Sequence, residues 1–227
     1  MFFPTIMKAR EIVHSQDFGR PTSIYVRYPL SMPAFDRRRD LRASRDLLDH
    51  IYHPAAIIRF LMGDIARFSY EWEERTGASV TTFRFTSGAV GTLHFTAGAS
   101  GSSPLERLEV VGEGANLVVE NGTTLTYYRP AKRPAYGRAP SFLVEDGVAP
   151  LRWEPEYSLG QLYNNNLFYL GYVPEILHFC EAILEGRLPE KGTLEDAREI
   201  MRLFEAYCDT PPGIARDIHP ATIERPA

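Results

Sequence analysis

The stretch Asp46-Leu-Leu-Asp49-His50-Ile-Tyr-His53 holds the residue types and spacing best suited to chemistry in this chain. Asp49 and His53 stand four apart, so on a helix they share a face opposite the apolar stripe of Leu48, Ile51 and Ala55. A carboxylate beside an imidazole fixes its tautomer and supports the cation formed when the ring takes a proton. That is the equipment needed to accept a hydroxyl proton while a hydride leaves the adjacent carbon. Pro54 disfavours helix at the residue before it, so the alternative is a helix starting at Pro54, with Asp49 and His53 brought together by a turn. A purely structural Asp/His pair also fits. His50-x-x-His53 with Asp46 or Asp49 has the look of a metal pair, but no Cys or further His lies nearby to complete three or four ligands.

Three other segments carry polar chemistry. Arg37, Arg38, Arg39, Arg42 and Arg45 crowd one loop and could meet an acidic group. Asp36, Asp40 and Asp46 offset them, which reads as a solvated loop, with Arg45 kept as a substrate contact. Asn164 and Asn165, in a run of three asparagines ahead of Tyr172, suit a polyol because amides both donate and accept. Gly112-Glu-Gly114 follows a strand pattern but lacks the third glycine of a dinucleotide loop. The sequence after it, ANLVVENG, continues as a strand and not a helix. It is expected as a hairpin turn, and no other phosphate-binding loop is present.

The elements that must position these residues follow from periodicity. A helix is expected from Pro4 to Ser15, a strand over residues 21–30, and a second helix carrying Leu48, Ile51, Ala55, Ile58 and Met62 to a stop at Gly63. From residue 66 to 129 the period is two, with turns at Thr76-Gly77, Ser87-Gly88, Gly112–Gly114 and Asn121-Gly122, which predicts a consecutive antiparallel meander. A short strand is expected at Leu151–Trp153. Two helices follow, one with a stripe of Ile176, Phe179, Cys180, Ile183 and Leu184, the other opened by a Thr193/Asp196 capping box. The sum is an α+β fold, a large open sheet with helices from both ends of the chain on one face. Its bare face is expected to be apolar and to pair two copies as a homodimer. Residues 1–210 form this substrate-binding and dimerisation domain and 211–227 a tail.

Composition narrows the class. A net charge of −4 over 227 residues excludes the basic footprint of a nucleic-acid binder. No run of 18 apolar residues suggests a membrane span. Two cysteines, Cys180 and Cys208, make no disulfide framework, and a cytoplasmic setting is expected. The helical pattern begins almost at residue 1, with no leading strand, as in a chain cut rather than begun.

The ordered set FxPxxxKAREIV, GRP, LLDHIYHPAAIIRFLMGD, FTSGAVGTLHF, LEVVGEGANLVVE, GYVPEILHFCEAILEGRLP and TLEDAREIMRLFEAY resembles the C-terminal domain of the glucose–fructose oxidoreductase / inositol dehydrogenase (Gfo/Idh/MocA) family over residues 2 to about 210. The resemblance implies a dihydrodipicolinate-reductase-like open sheet, subunits paired through it, and a separate Rossmann domain that brings NAD or NADP to a sugar, inositol or related polyol. It implies His53 as proton acceptor, with Asp49 as its partner or a contact to a substrate hydroxyl. Ala56 and Ile51 stand where the family often has Asp and Gly. The Rossmann domain and the lysine of the Glu-Lys-Pro motif would precede residue 1. This chain alone is therefore expected to be silent, with a non-catalytic binding or scaffold domain as the alternative.

Overall fold

The computed structural model describes residues 1–103, 105–131, 146–154 and 167–219. Helix α1 (Pro4–Val13) and strand β1 (Ser23–Tyr28) precede the long helix α2 (Arg45–Met62). Strands β2 (Ile65–Trp72), β3 (Ser79–Phe85), β4 (Val90–Phe95), β5 (Arg107–Val111), β6 (Asn116–Glu120), β7 (Thr124–Tyr128) and β8 (Leu151–Trp153) follow. Helices α3 (Tyr172–Leu184) and α4 (Leu194–Asp209) and the short strand β9 (Arg216–Asp217) complete the described chain. The nine strands form one open sheet in the order β8-β7-β6-β5-β1-β4-β3-β2-β9.

The sheet departs from a simple meander at its centre. β1 lies between β4 and β5, parallel to β4 and antiparallel to β5, and is the one parallel neighbour among the described strands. A strand pattern shows alternation but not its neighbours, and the long 96–106 link lets β4 and β5 part around β1. The turns behave as expected. Asn121 and Gly122 both have positive φ between β6 and β7, the requirement of a type I′ hairpin. Gly112 donates to the Ala115 carbonyl at 2.8 Å in the β5–β6 turn, so Gly112-Glu-Gly114 is a hairpin and not a phosphate loop. The segment expected as a tail adds β9 to the sheet edge, with the Ile218 amide on the Ala66 carbonyl.

Alternation gives the sheet two unlike faces. Phe68, Phe83, Ile24, Val110 and Leu117 line one register row of the inner face, and Tyr70, Leu93, Val26, Leu108 and Val119 the next, all buried. Helix α1 covers the β6–β7 end, α2 covers β1, and α4 lays Tyr207 edge-on against Phe68 and Tyr70. The outer face is not the apolar patch that was expected. Val80, Val90 and Val111 are exposed there, but Tyr25, Thr82, Thr92, Arg84 and Glu109 alternate among them around a hollow of ≈ 660 Å³.

Helix ends follow their residues. The Thr193 hydroxyl accepts the Asp196 amide at 3.1 Å and the Asp196 carboxylate accepts the Thr193 amide at 3.0 Å, a complete capping box. Thr193→Ala is expected to lower stability by about 1 kcal/mol, read as a shift in the urea midpoint at unchanged slope. An unmoved midpoint would show that Arg59, which also holds Asp196 at 3.0 Å, carries the contact alone.

Candidate active site

Helix α2 runs unbroken through Pro54, so the reading in which a helix begins there is corrected. Pro54 deprives the His50 carbonyl of its usual donor. The core offsets that loss, because Ile51, Pro54, Ala55 and Ile58 are all buried against the sheet layer. Continuity places Asp49 one turn ahead of His53 on the same helix. Both are exposed, and no hydrogen bond joins them. The His50 ring instead bonds the Asp46 carbonyl at 2.9 Å, which assigns the proton to its Nδ1.

His53 opens into a pocket of ≈ 410 Å³ whose wall also includes Tyr28, Tyr52, Glu106, Tyr172 and the first residues of the chain. Its ring stacks on Tyr28 at 6.3 Å and leans on Tyr52 at 5.1 Å. Burial among these rings, then the neighbouring His50, then the chain's amino terminus, hold its pKa below the ordinary histidine value. His53 is thus a neutral imidazole at neutral pH, able to accept a proton. Tyr28 is pushed the other way, up to about 12, by burial, Glu106 and Tyr52, so it stays a hydrogen-bonding phenol.

Glu106 was not singled out by sequence. Its parity is that of Leu108 and Val110, which turns it to the helix side. Burial raises its pKa. A carboxyl group in this position can hold a substrate hydroxyl.

Tyr172 lies at the start of α3 and lines the pocket with His53. The residue before it, Gly171, has φ 83, and a Cβ there would stand 2.8 Å from the backbone of Phe2. Only glycine lets the amino-terminal segment close against this turn. Arg45 stands elsewhere: its side chain is 76% exposed, 3.8 Å from Asp46, and outside the pocket wall. Asn164 and Asn165 lie outside the described residues. Arg38 is no part of a solvated loop; it is 1% exposed in the core. Among the described residues no group of three His, Cys, Asp or Glu is placed to hold a metal ion, and no helix is long and apolar enough to cross a membrane.

What the arrangement can do is bounded by what it holds. It offers a neutral base, phenol and carboxyl groups for hydroxyls, and aromatic walls for a ring or carbon chain. Among the described residues nothing cradles a nucleotide phosphate.

Comparison with known proteins supplies the rest. The family profile described as the GFO/IDH/MocA C-terminal domain matches residues 6–118. No curated protein matches the chain. Among solved structures, an oxidoreductase from Agrobacterium radiobacter in complex with NAD+, L-tartaric acid and magnesium is 15% identical with a TM-score of 0.63, over 96% of this chain and 62% of that one. An NAD-binding oxidoreductase from Klebsiella pneumoniae is 14% identical with a TM-score of 0.69, over 96% and 64%. A levoglucosan dehydrogenase in complex with NADH and L-sorbose is 16% identical with a TM-score of 0.66, over 92% and 61%. At these identities the likeness establishes the fold. The chain spans less than two thirds of the length of each of these structures.

Proposed function

Because the chain belongs to the Gfo/Idh/MocA oxidoreductases as their C-terminal domain, we propose that it is the substrate-side half of an NAD(P)-dependent dehydrogenase acting on a sugar, inositol or related polyol. The observation that carries this reading is His53: a neutral imidazole, exposed in a pocket with hydroxyl-binding groups around it. Three relatives are described with NAD+, NAD or NADH, and one of these also with the polyhydroxylated L-sorbose.

NAD or NADP, brought by a separate domain, supplies the hydride acceptor. This chain's part is the proton. A substrate hydroxyl held against His53 gives its proton to the free ring nitrogen as the carbon–hydrogen electron pair departs, leaving a carbonyl. Glu106 and Tyr172 hold neighbouring hydroxyls and fix which carbon faces the acceptor. Asp49, one turn away, favours the imidazolium through its charge or meets a further substrate hydroxyl. Tyr28 and Tyr52 exclude water from one side of the ring. A nucleotide-binding domain is what holds the nicotinamide against the substrate carbon.

The test supplies that domain and measures reduction of NAD+ and NADP+ over a panel of sugars, inositols and linear polyols. Turnover that appears only in the mixture and requires His53 supports the reading. No turnover on any polyhydroxylated substrate, with the complex formed, refutes it.

The same reading carries a homodimer through the outer sheet face. The mix of β-branched, hydroxyl and charged side chains there, with Arg107 on Glu120 at 2.8 Å, suits an interface that is polar as well as apolar. Sedimentation at micromolar concentration is expected to show a dimer that Val90→Arg and Thr92→Arg together convert to monomer. A dimer indifferent to both changes would place the contact elsewhere.

A further inference from the structure

The His53 pocket is acidic. Its wall carries two carboxylates, Glu106 and Glu175, and no lysine or arginine. Burial lowers the pKa of the chain's own amino group, beside Glu175, to about 6, so it supplies little charge at neutral pH.

Glu106 is half-buried directly ahead of β5, and the arginines nearest to it do not neutralise it. Arg107 follows it in the chain and is paired with Arg27 in the β1–β5 ladder, so both have the opposite parity and face the outer side of the sheet. Each has its own partner. Arg107 donates to Glu120 at 2.8 Å and Arg27 to the Ser103 hydroxyl at 3.2 Å. Among the described residues no cation acts on Glu106, and burial alone raises its pKa. A carboxylate drawn partly out of water without a counterion is unfavourable, and a cation brought by the ligand relieves it.

The rings around it fit the same partner. Tyr28, Tyr52 and Tyr172 put three phenols on the wall, and an ammonium is attracted to such ring faces as well as to a carboxylate. A neutral polyol leaves Glu106 either unpaired or protonated. A carboxylated or phosphorylated substrate meets repulsion from both carboxylates.

We propose that the polyhydroxylated substrate of this site carries a basic amino group, as an amino sugar or aminocyclitol does, with Glu106 as its counterion. The proposal rests on the functional reading above and narrows its substrate class. Glu106 takes the ammonium in place of one hydroxyl, and the reacting hydroxyl still gives its proton to His53. Glu175, on the α3 side of the pocket, adds a field of the same sign.

The experiment measures binding to the 227-residue chain by NMR titration, with triplets that differ at one substituent. D-glucose, D-glucosamine and N-acetyl-D-glucosamine form one triplet. An inositol, its inosamine and the N-acetylinosamine form another, and D-glucuronate serves as the anion. In at least one triplet the amine is expected to bind about tenfold or more tightly than its two neutral counterparts, the usual worth of a charge-assisted hydrogen bond, with glucuronate weakest. Glu106→Gln, of the same shape and without the charge, should remove the preference. The N-acetyl comparison reads the same charge in the unmodified chain, so the test stands even where the variant fails to fold. Equal binding of amine and neutral members, tightest binding of the anion, or no binding of any member overturns the proposal. So does a preference that survives in folded Glu106→Gln. Turnover separates this outcome from that of the functional reading. Reduction of NAD+ by the completed enzyme with neutral polyols, and no gain from an amine, overturns the ammonium site and leaves the dehydrogenase. An amine preference lost in Glu106→Gln, without turnover of any member, upholds the ammonium site and removes the dehydrogenase.

Discussion

His53→Asn lowers kcat of the completed enzyme by about 10²–10⁴-fold, the usual contribution of a general base, with KM changed far less. Asparagine keeps a polar group of similar reach but cannot take a proton, so substrate is still held while the proton has nowhere to go. The pH profile checks the assignment independently. His53 must be neutral to act, and burial, His50 and the amino terminus all lower its pKa from 6.5. Activity is therefore expected to be flat at neutral pH and to fall only as pH drops through a value below 6.5. Glu106 is shifted the opposite way by burial, so its titration would move the acidic limb upward. His53→Asn should remove the histidine limb from the residual activity. A variant that keeps more than a tenth of wild-type kcat, or a profile unchanged by the substitution, would move the proton-acceptor role to another group in the pocket, with the Glu106 carboxyl the candidate.

The parts of this site legible in the sequence are those fixed by local spacing. Asp49 and His53 share a helical face because four residues make about one turn, and the Thr193/Asp196 box and Asn121-Gly122 turn are equally local. What sequence could not show depends on neighbours distant along the chain. Tyr28 reaches His53 only because β1 is inserted at the centre of the sheet, and nothing in its alternation announces that place. Glu106 was available from parity alone, since it is two residues from Leu108 and four from Val110 and so shares their face. The α3 stripe was read correctly as an amphipathic helix but not as one whose apolar face stays exposed, because periodicity marks a face and not what it packs on. The outer sheet face shows the same limit: alternation marks two environments, but Arg84, Thr92 and Glu109 make the second one mixed rather than apolar.

Arg38→Ala is expected to be the most destabilising single change in the polar core. The side chain is 1% exposed and has no carboxylate partner among the described residues. It is held instead by the Pro33 carbonyl on Nε at 2.9 Å, the Tyr207 carbonyl on Nη1 at 3.0 Å and the Tyr70 hydroxyl, with the Tyr70, Phe35 and Trp72 rings 5.1–5.7 Å from its guanidinium. The Tyr207 carbonyl explains the need. It lies in the last turn of α4, and the amide four residues on belongs to Pro211, which has no N–H to give. Arg38 supplies the missing donor and sets a positive charge at the negative end of the helix. Burying a guanidinium is unfavourable, so an apolar replacement of similar volume could in principle be neutral. Here the acceptors stay behind, and a buried carbonyl without a donor costs about 1–3 kcal/mol. Arg38→Met keeps the volume and loses two such bonds, for an expected loss of about 2–4 kcal/mol; Arg38→Ala adds a cavity and should exceed it. In a chain of this size that is roughly 5–15 °C in the thermal midpoint. Cys208, whose thiol contacts the Arg38 carbonyl at 3.4 Å, should become reactive toward maleimide at the same time, because the 31–45 loop loses its anchor to α4. An Arg38→Met midpoint equal to or above that of the unmodified chain would mean that desolvation of the guanidinium outweighs its three hydrogen bonds.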